Sequence, residues 1–228
     1  MKIGTVTEIK DSTETRIGLT PQSVKELTAM GHEILVQRGA GTPSQISDEE
    51  YRQAGAEMVD NASEVWERVD LMVKVKEPQK KEFQYLRENL TLFTYFHLAN
   101  PNNKELIIAA IESKGTFIAY ETIALEDGTT PLLAPMSEVA GQRIIDIASS
   151  YLASPNGIAN KMINRIKAMA GKVLIIGGGV VGRNSAYCAL GRGADVVILE
   201  IREEQRKQLE QELQPLADVF GADLRVLK

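Results

Sequence analysis

Short β-prone apolar runs alternate along the chain with segments whose apolar positions recur at helical spacing. Lys2–Val6, Glu33–Gln37, Leu71–Val75, Leu92–Tyr95 and Thr116–Tyr120 read as strands. Thr20 before Pro21 supplies an N-cap and a first-turn proline, which predicts a helix over Pro21–Met30 stopped at Gly31. Ser47-Asp48-Glu49-Glu50 is a capping box that opens a short helix ending near Gly55. Asn61 is placed to cap a helix through Arg68, and Asn102 or Asn103 to begin an amphipathic helix closed at Gly115. A long helix is expected over Ser137–Leu152, and an apolar-basic helix over about Asn160–Ala170. A second alternating run follows. Its strands are Lys172–Ile176, Asp195–Leu199 and Asp223–Val226, and its helices Val180–Leu190 and roughly Glu203–Leu213. Strands separated by helices predict an α/β protein built of βαβ units with mostly parallel sheets. We expect two domains, 1–138 and 139–228, the second entered through the long interdomain helix, with the boundary within Pro135–Gly141.

Composition narrows the classes. The 228 residues hold 43% hydrophobic and 25% charged residues, enough to bury a core and too apolar for a disordered chain. The net charge of −5 argues against nucleic acid as the main partner. Cys188 is the single cysteine, so an internal disulfide and a cysteine-rich metal site are excluded. No apolar run approaches the roughly 18–20 residues that span a bilayer, and no secretory signal is visible. The expectation is a soluble, cytoplasmic protein with no membrane partner and no metal.

The strongest chemical signal is the strand Val173-Leu-Ile-Ile running into Gly177-Gly178-Gly179-Val180-Val181-Gly182. This is a GxGxxG between a strand and a helix. Gly177 permits the tight turn, Gly179 lets backbone approach a pyrophosphate, and Gly182 lets helix and strand pack closely. Val180 and Val181 open the helix, whose N-terminal N–H groups and dipole favour phosphate. Glu200 ends the next strand about 20 residues further on, where a ribose 2′-OH would sit. A dinucleotide, NAD rather than NADP, is the expected cofactor, because a carboxylate repels a 2′-phosphate. Arg202 nearby reads as a solvated charge at a helix start.

Four further positions follow strands or open a helix. Ligands of open parallel sheets bind at the carboxyl ends of strands, which gives such positions a reason to matter. Arg16 follows the first strand, where an isolated arginine is usually a surface charge. Lys76 follows LMVKV, with a solvated lysine paired to Glu77 as the alternative. His97 follows LFTYF and is either a general acid/base or a satisfied structural histidine. Ser137 stands at the start of the long helix, where an N-cap is the plainer role.

The segments MKIGTVTEIK, RIGLTP, LMVKVKEP, LFTYFHLA, AYET, PMSEVAGQR and IIGGGVVGRN, in this order, resemble the alanine dehydrogenases. The related domain I subunit of proton-translocating transhydrogenase is similar but fits KVKEP and FHLA less well. The resemblance implies two Rossmann-like domains and reversible NAD-dependent deamination of L-alanine to pyruvate and ammonium. It implies that Arg16 and Lys76 hold the substrate carboxylate and carbonyl, that His97 transfers protons, and that Ser137 contacts the cofactor. It also implies a homo-oligomer, hexameric in the family.

The sequence ends at Lys228, just after the last expected strand. The second domain is therefore expected to hold only the first mononucleotide half of a dinucleotide fold, without the family's catalytic aspartate. Turnover by the 228 residues alone is expected to be negligible. Lys172–Ile176 is expected to form an apolar sheet edge. The alternatives are a non-catalytic nucleotide- or pyruvate-binding relative, or a transhydrogenase-like nucleotide-binding subunit.

Overall fold

The computed structural model describes residues 1–153, 162–166 and 170–228. The chain divides into two compact units, Met1–Ile123 and Ala124–Lys228.

In the first unit the elements run β1 (Lys2–Thr5), α1 (Pro21–Ala29), β2 (Glu33–Gln37), α2 (Asp48–Gln53), β3 (Glu57–Val59), α3 (Ala62–Arg68), β4 (Leu71–Lys76), β5 (Thr91–Tyr95), α4 (Lys104–Ser113) and β6 (Thr116–Ala119). The strands form one parallel sheet in the order β3-β2-β1-β4-β5-β6. The order reverses between β1 and β4, so the crevice at their carboxyl ends is the expected ligand position. One apolar cluster includes Val65, Trp66, Met72, Leu92 and Leu106. A second includes Ile3, Val24, Ile34 and Tyr51. Helices packed on both faces explain why the strands read as nearly continuous apolar runs.

Local chemistry sets the helix ends. The Thr20 hydroxyl accepts from the Ser23 N–H with Pro21 in the first turn. Ser47 and Glu50 cap each other reciprocally. Three expectations are corrected. Asn61 and Asn103 precede α3 and α4 without side-chain caps. Lys114, not Gly115, is the left-handed residue that ends α4, at φ +56°. Gly115 is needed for closeness instead: a Cβ there would stand 2.8 Å from the Arg87 carbonyl oxygen. β3 is only three residues long and had no readable alternation.

The second unit runs α5 (Ala134–Leu152), β7 (Lys172–Ile176), α6 (Val180–Leu190), β8 (Asp195–Leu199), α7 (Glu203–Phe220) and β9 (Leu224–Leu227). Its parallel sheet has the order β7-β8-β9. The structural division falls ahead of α5, whereas the sequence placed it at 138/139. The reason is packing: the Ser185 hydroxyl on α6 donates to the Gly141 carbonyl on α5 at 3.0 Å. A Cβ at Gly141 would collide with the Val181 carbonyl oxygen. α5 starts at Ala134 with Pro135 in its first turn, so Ser137 lies inside the helix and is not its N-cap.

α7 continues to Phe220 through Pro215, beyond the expected end at Leu213. Leu209, Leu213 and Ala217 are fully buried at four-residue spacing, and this burial outweighs the proline's lost hydrogen bond. Of the helix expected over Asn160–Ala170, residues 160, 161 and 167–169 lie outside the described residues. Within 162–166 the chain is not helical, and the Arg165 N–H donates to the Arg192 carbonyl. Along β7 the side chains alternate sharply: Ile175 is 8% exposed, while Leu174 and Ile176 are 61% and 82% exposed.

Candidate active site

In the first unit the loop after β1 carries Glu8, Glu14 and Arg16. Arg16 grips Glu14 with a planar fork: its Nε donates to Oε1 at 2.8 Å and its Nη2 to Oε2 at 2.6 Å. Its own N–H also donates to Oε1 at 3.0 Å. The guanidinium holds the Glu14 carboxyl below the usual carboxylate range. Lys76, at the end of β4, brings its Nζ to 3.9 Å from Glu14 Oε2. The two predicted cations therefore share one carboxylate. The alternative pairing of Lys76 with Glu77 is not seen, since Glu77 accepts from Lys10 Nζ at 2.5 Å.

Beneath this loop lies a buried charge network that sequence reasoning missed. Lys74 Nζ donates to Glu82 Oε1 at 2.8 Å and stands 3.3 Å from Glu8 Oε2. Glu8 also accepts from the Val75 N–H at 2.6 Å and the Lys76 N–H at 3.3 Å, which fixes the end of β4. Burial raises the Glu8 pKa despite these donors. Lys74 alternates with Lys76 along LMVKVK, and an inward lysine on a buried strand was the signal available.

His97 follows β5 and is exposed, with a left-handed backbone at φ +50°. Its ring stacks on Tyr95 at 6.1 Å and 17°. Tyr95 in turn meets Tyr120 edge-on at 4.8 Å. Partial burial raises the Tyr95 pKa, and the Arg16 charge opposes that rise. Burial also pushes the Tyr120 phenol well above its ordinary value. Glu14 thus links Arg16 to Lys76, and Lys76 pairs across the sheet with Tyr95, which carries the His97 ring.

In the second unit the glycine loop has the expected geometry. Gly177 sits at φ +97°. A Cβ at Gly182 would collide with the Gly177 carbonyl oxygen, which is why β7 and α6 approach so closely. A Cβ at Gly179 would meet nothing within 4 Å. Gly179 precedes α6 without a side-chain cap, so the first helix N–H groups are left for an incoming acceptor. Ser137, Gly177, Gly179, Val180, Val181 and Gly182 line one cavity of about 640 Å³.

Glu200 is 6% exposed and turned onto the loop. Its Oε2 accepts from the Gly178 N–H at 2.9 Å and its Oε1 from the Arg202 N–H at 3.0 Å. These donors hold its pKa down at about 2. Arg202 is more than a solvated charge, since its Nε reaches Glu200 Oε1 at 3.3 Å. Gln205 Nε2 donates to the Gly178 carbonyl at 2.6 Å, so both backbone polar groups of the central loop residue are held.

Two parallel sheets wound with helices, one carrying this loop, define a two-unit α/β protein of the Rossmann-like class. The chain matches the family models "Alanine dehydrogenase/PNT, N-terminal domain" over residues 4–140 and "Alanine dehydrogenase/PNT, C-terminal domain" over 144–222. It belongs to the alanine dehydrogenase/PNT family. It is 45% identical over its whole length to an alanine dehydrogenase of Staphylococcus epidermidis and 43% identical to an alanine dehydrogenase 2 of Staphylococcus aureus. It spans 58% of the length of each. A solved L-alanine dehydrogenase superposes with a TM-score of 0.86 at 37% identity, covering all of this chain and 61% of the other. A transhydrogenase from Sinorhizobium meliloti superposes at 0.75 with 22% identity, covering 98% of this chain and 64% of the other. That likeness shows the fold alone. Among the described residues no helix is long and apolar enough to cross a membrane.

Proposed function

We propose that this chain carries the substrate and cofactor chemistry of an NAD-dependent L-alanine dehydrogenase, which converts L-alanine, NAD and water to pyruvate, ammonium and NADH. The observation that carries the reading is the pair Arg16 and Lys76, already gathered around one carboxylate, with Lys76 paired across the sheet to Tyr95, on which His97 stacks. A guanidinium fork suits the planar carboxylate of alanine or pyruvate. The Lys76 ammonium stabilises charge on the carbonyl oxygen. His97 exchanges a proton with the water that adds to the imine, whose oxygen stays as the pyruvate carbonyl when the C–N bond breaks and ammonium leaves.

The open space at Gly179, the close contact at Gly182 and the uncapped start of α6 fit a pyrophosphate. Gly177, Gly179, Val180, Val181 and Gly182 would hold NAD with Ser137 beside them, and Glu200 would take the ribose hydroxyl. Bound NAD supplies the acceptor for the hydride leaving Cα. Assembly as a homo-oligomer and a cytoplasmic location belong to the same proposal.

Calorimetric titration with pyruvate and with acetate tests the substrate reading. Acetate has the carboxylate and lacks the carbonyl. Pyruvate should bind more tightly, and Lys76→Ala should bring the two affinities together. Equal affinities in the unaltered protein would contradict it.

A further inference from the structure

Three described non-glycine residues have positive φ: Gln45, His97 and Lys114. Gln45 and Lys114 end helical turns, where the left-handed conformation is ordinary. His97 ends no helix. It stands two residues past β5, and its φ of +50° is a backbone cost that the surroundings must offset.

The offset comes from Glu121. Both of its carboxylate oxygens accept from the Phe96 N–H at 3.2 Å, and Oε1 accepts from the His97 N–H at 2.6 Å. Successive N–H groups that converge on one anion form a nest, and a left-handed residue is what makes them converge. The carbonyls of the same two residues are held as well. Asn103 Nδ2 donates to the carbonyls of Phe96 and His97 at 3.1 Å each, which is why Asn103 does not cap α4. Glu121 belongs to the 3-10 turn Tyr120–Thr122 just after β6, the strand beside β5. Tyr120 anchors that turn edge-on against Phe93 at 4.2 Å.

We propose that Glu121, the acid of the AYET segment, is a positioning residue. It holds the His97 backbone left-handed and so keeps the imidazole stacked on Tyr95 at the substrate position. Its bonds go to backbone N–H groups, so it acts through His97 and not on the substrate. The inference rests on the reading of His97 as the proton-transfer group. Without the anion, His97 relaxes to negative φ, which swings its Cα–Cβ bond and carries the ring away from Tyr95.

The chain has two histidines, so His32→Gln assigns the His97 ring signals in a proton NMR spectrum. The unaltered protein should show ring-to-ring contacts between His97 and Tyr95. Glu121→Gln keeps one acceptor oxygen and should retain them, while Glu121→Ala should lose them with the remaining spectrum preserved. Retention in Glu121→Ala would overturn the positioning role. If Glu121→Ala fails to fold, adding His97→Gly should restore folding, because glycine takes positive φ without the anion. Failure to restore it would likewise overturn the proposal. Pyruvate titrated into the unaltered protein tests the underlying reading separately. Unmoved His97 signals would defeat that reading, whatever the ring contacts show.

Discussion

The two candidate sites are made in opposite ways. At the β4–β5 edge the chemistry belongs to side chains, each held by another: Arg16 and Lys76 by Glu14, and the end of β4 by Glu8. At the glycine loop it belongs to backbone, and the essential feature is where side chains are missing. The first site should therefore be damaged by removing atoms and the second by adding them.

The largest effect is expected below the first site. Lys74→Ala would leave Glu8 and Glu82 buried without their shared cation, at a cost of about 3–5 kcal/mol in denaturant unfolding. A loss under about 1 kcal/mol, within the range of surface ion pairs, would mean that the network is not closed to water. In the second unit a single methyl should suffice. Gly182→Ala sets a Cβ against the Gly177 carbonyl and should cost about 1–3 kcal/mol by the same measurement. Arg16→Ala should lower pyruvate affinity by at least about tenfold, or ~1.4 kcal/mol.

Acid sharpens the contrast between two buried carboxylates. Glu200 is held down from 4.5 to about 2 by N–H donors, whereas burial moves Glu8 upward. A depressed carboxylate stabilises the folded form above its unfolded pKa, and that contribution is lost as pH falls from about 4.5 toward 2. A raised one is the more protonated in the folded state, so acidification favours folding there only above about 4.5, before the Glu200 window opens. Hydrogen exchange should thus show the Gly178 amide losing protection across this window before the Val75 amide does. The smallest effect belongs to Gly179→Ala, whose Cβ meets nothing and whose φ of −65° suits any residue. Stability should stay within about 0.5 kcal/mol.

The same contrast governs what could be read from the sequence. The glycine loop was legible residue by residue, because only glycine tolerates a φ of +97° at Gly177 or a carbonyl against its Cα at Gly182. The strands and most helix starts were legible from apolar period and caps. The supporting acids were not. Glu8, Glu14 and Glu121 look like ordinary surface charges in a chain with 31 acidic residues, and only the fold brings them against N–H groups and cations. Lys74 was visible only as a lysine within the apolar run LMVKVK, and nothing local named its partners Glu8 and Glu82. The end of α7 was misjudged because Pro215 is a strong local breaker, overridden here by burial of Ala217.

The most direct test of the account is a crossed titration. Arg16→Ala and Gly179→Val are each measured by calorimetry against pyruvate and against NAD. Removing the guanidinium should cost pyruvate affinity and leave NAD binding intact. Adding a side chain at Gly179 should abolish NAD binding and leave pyruvate affinity intact. Loss of NAD binding in Arg16→Ala, or unchanged NAD affinity in Gly179→Val, would contradict the division of the chemistry between side chains and bare backbone.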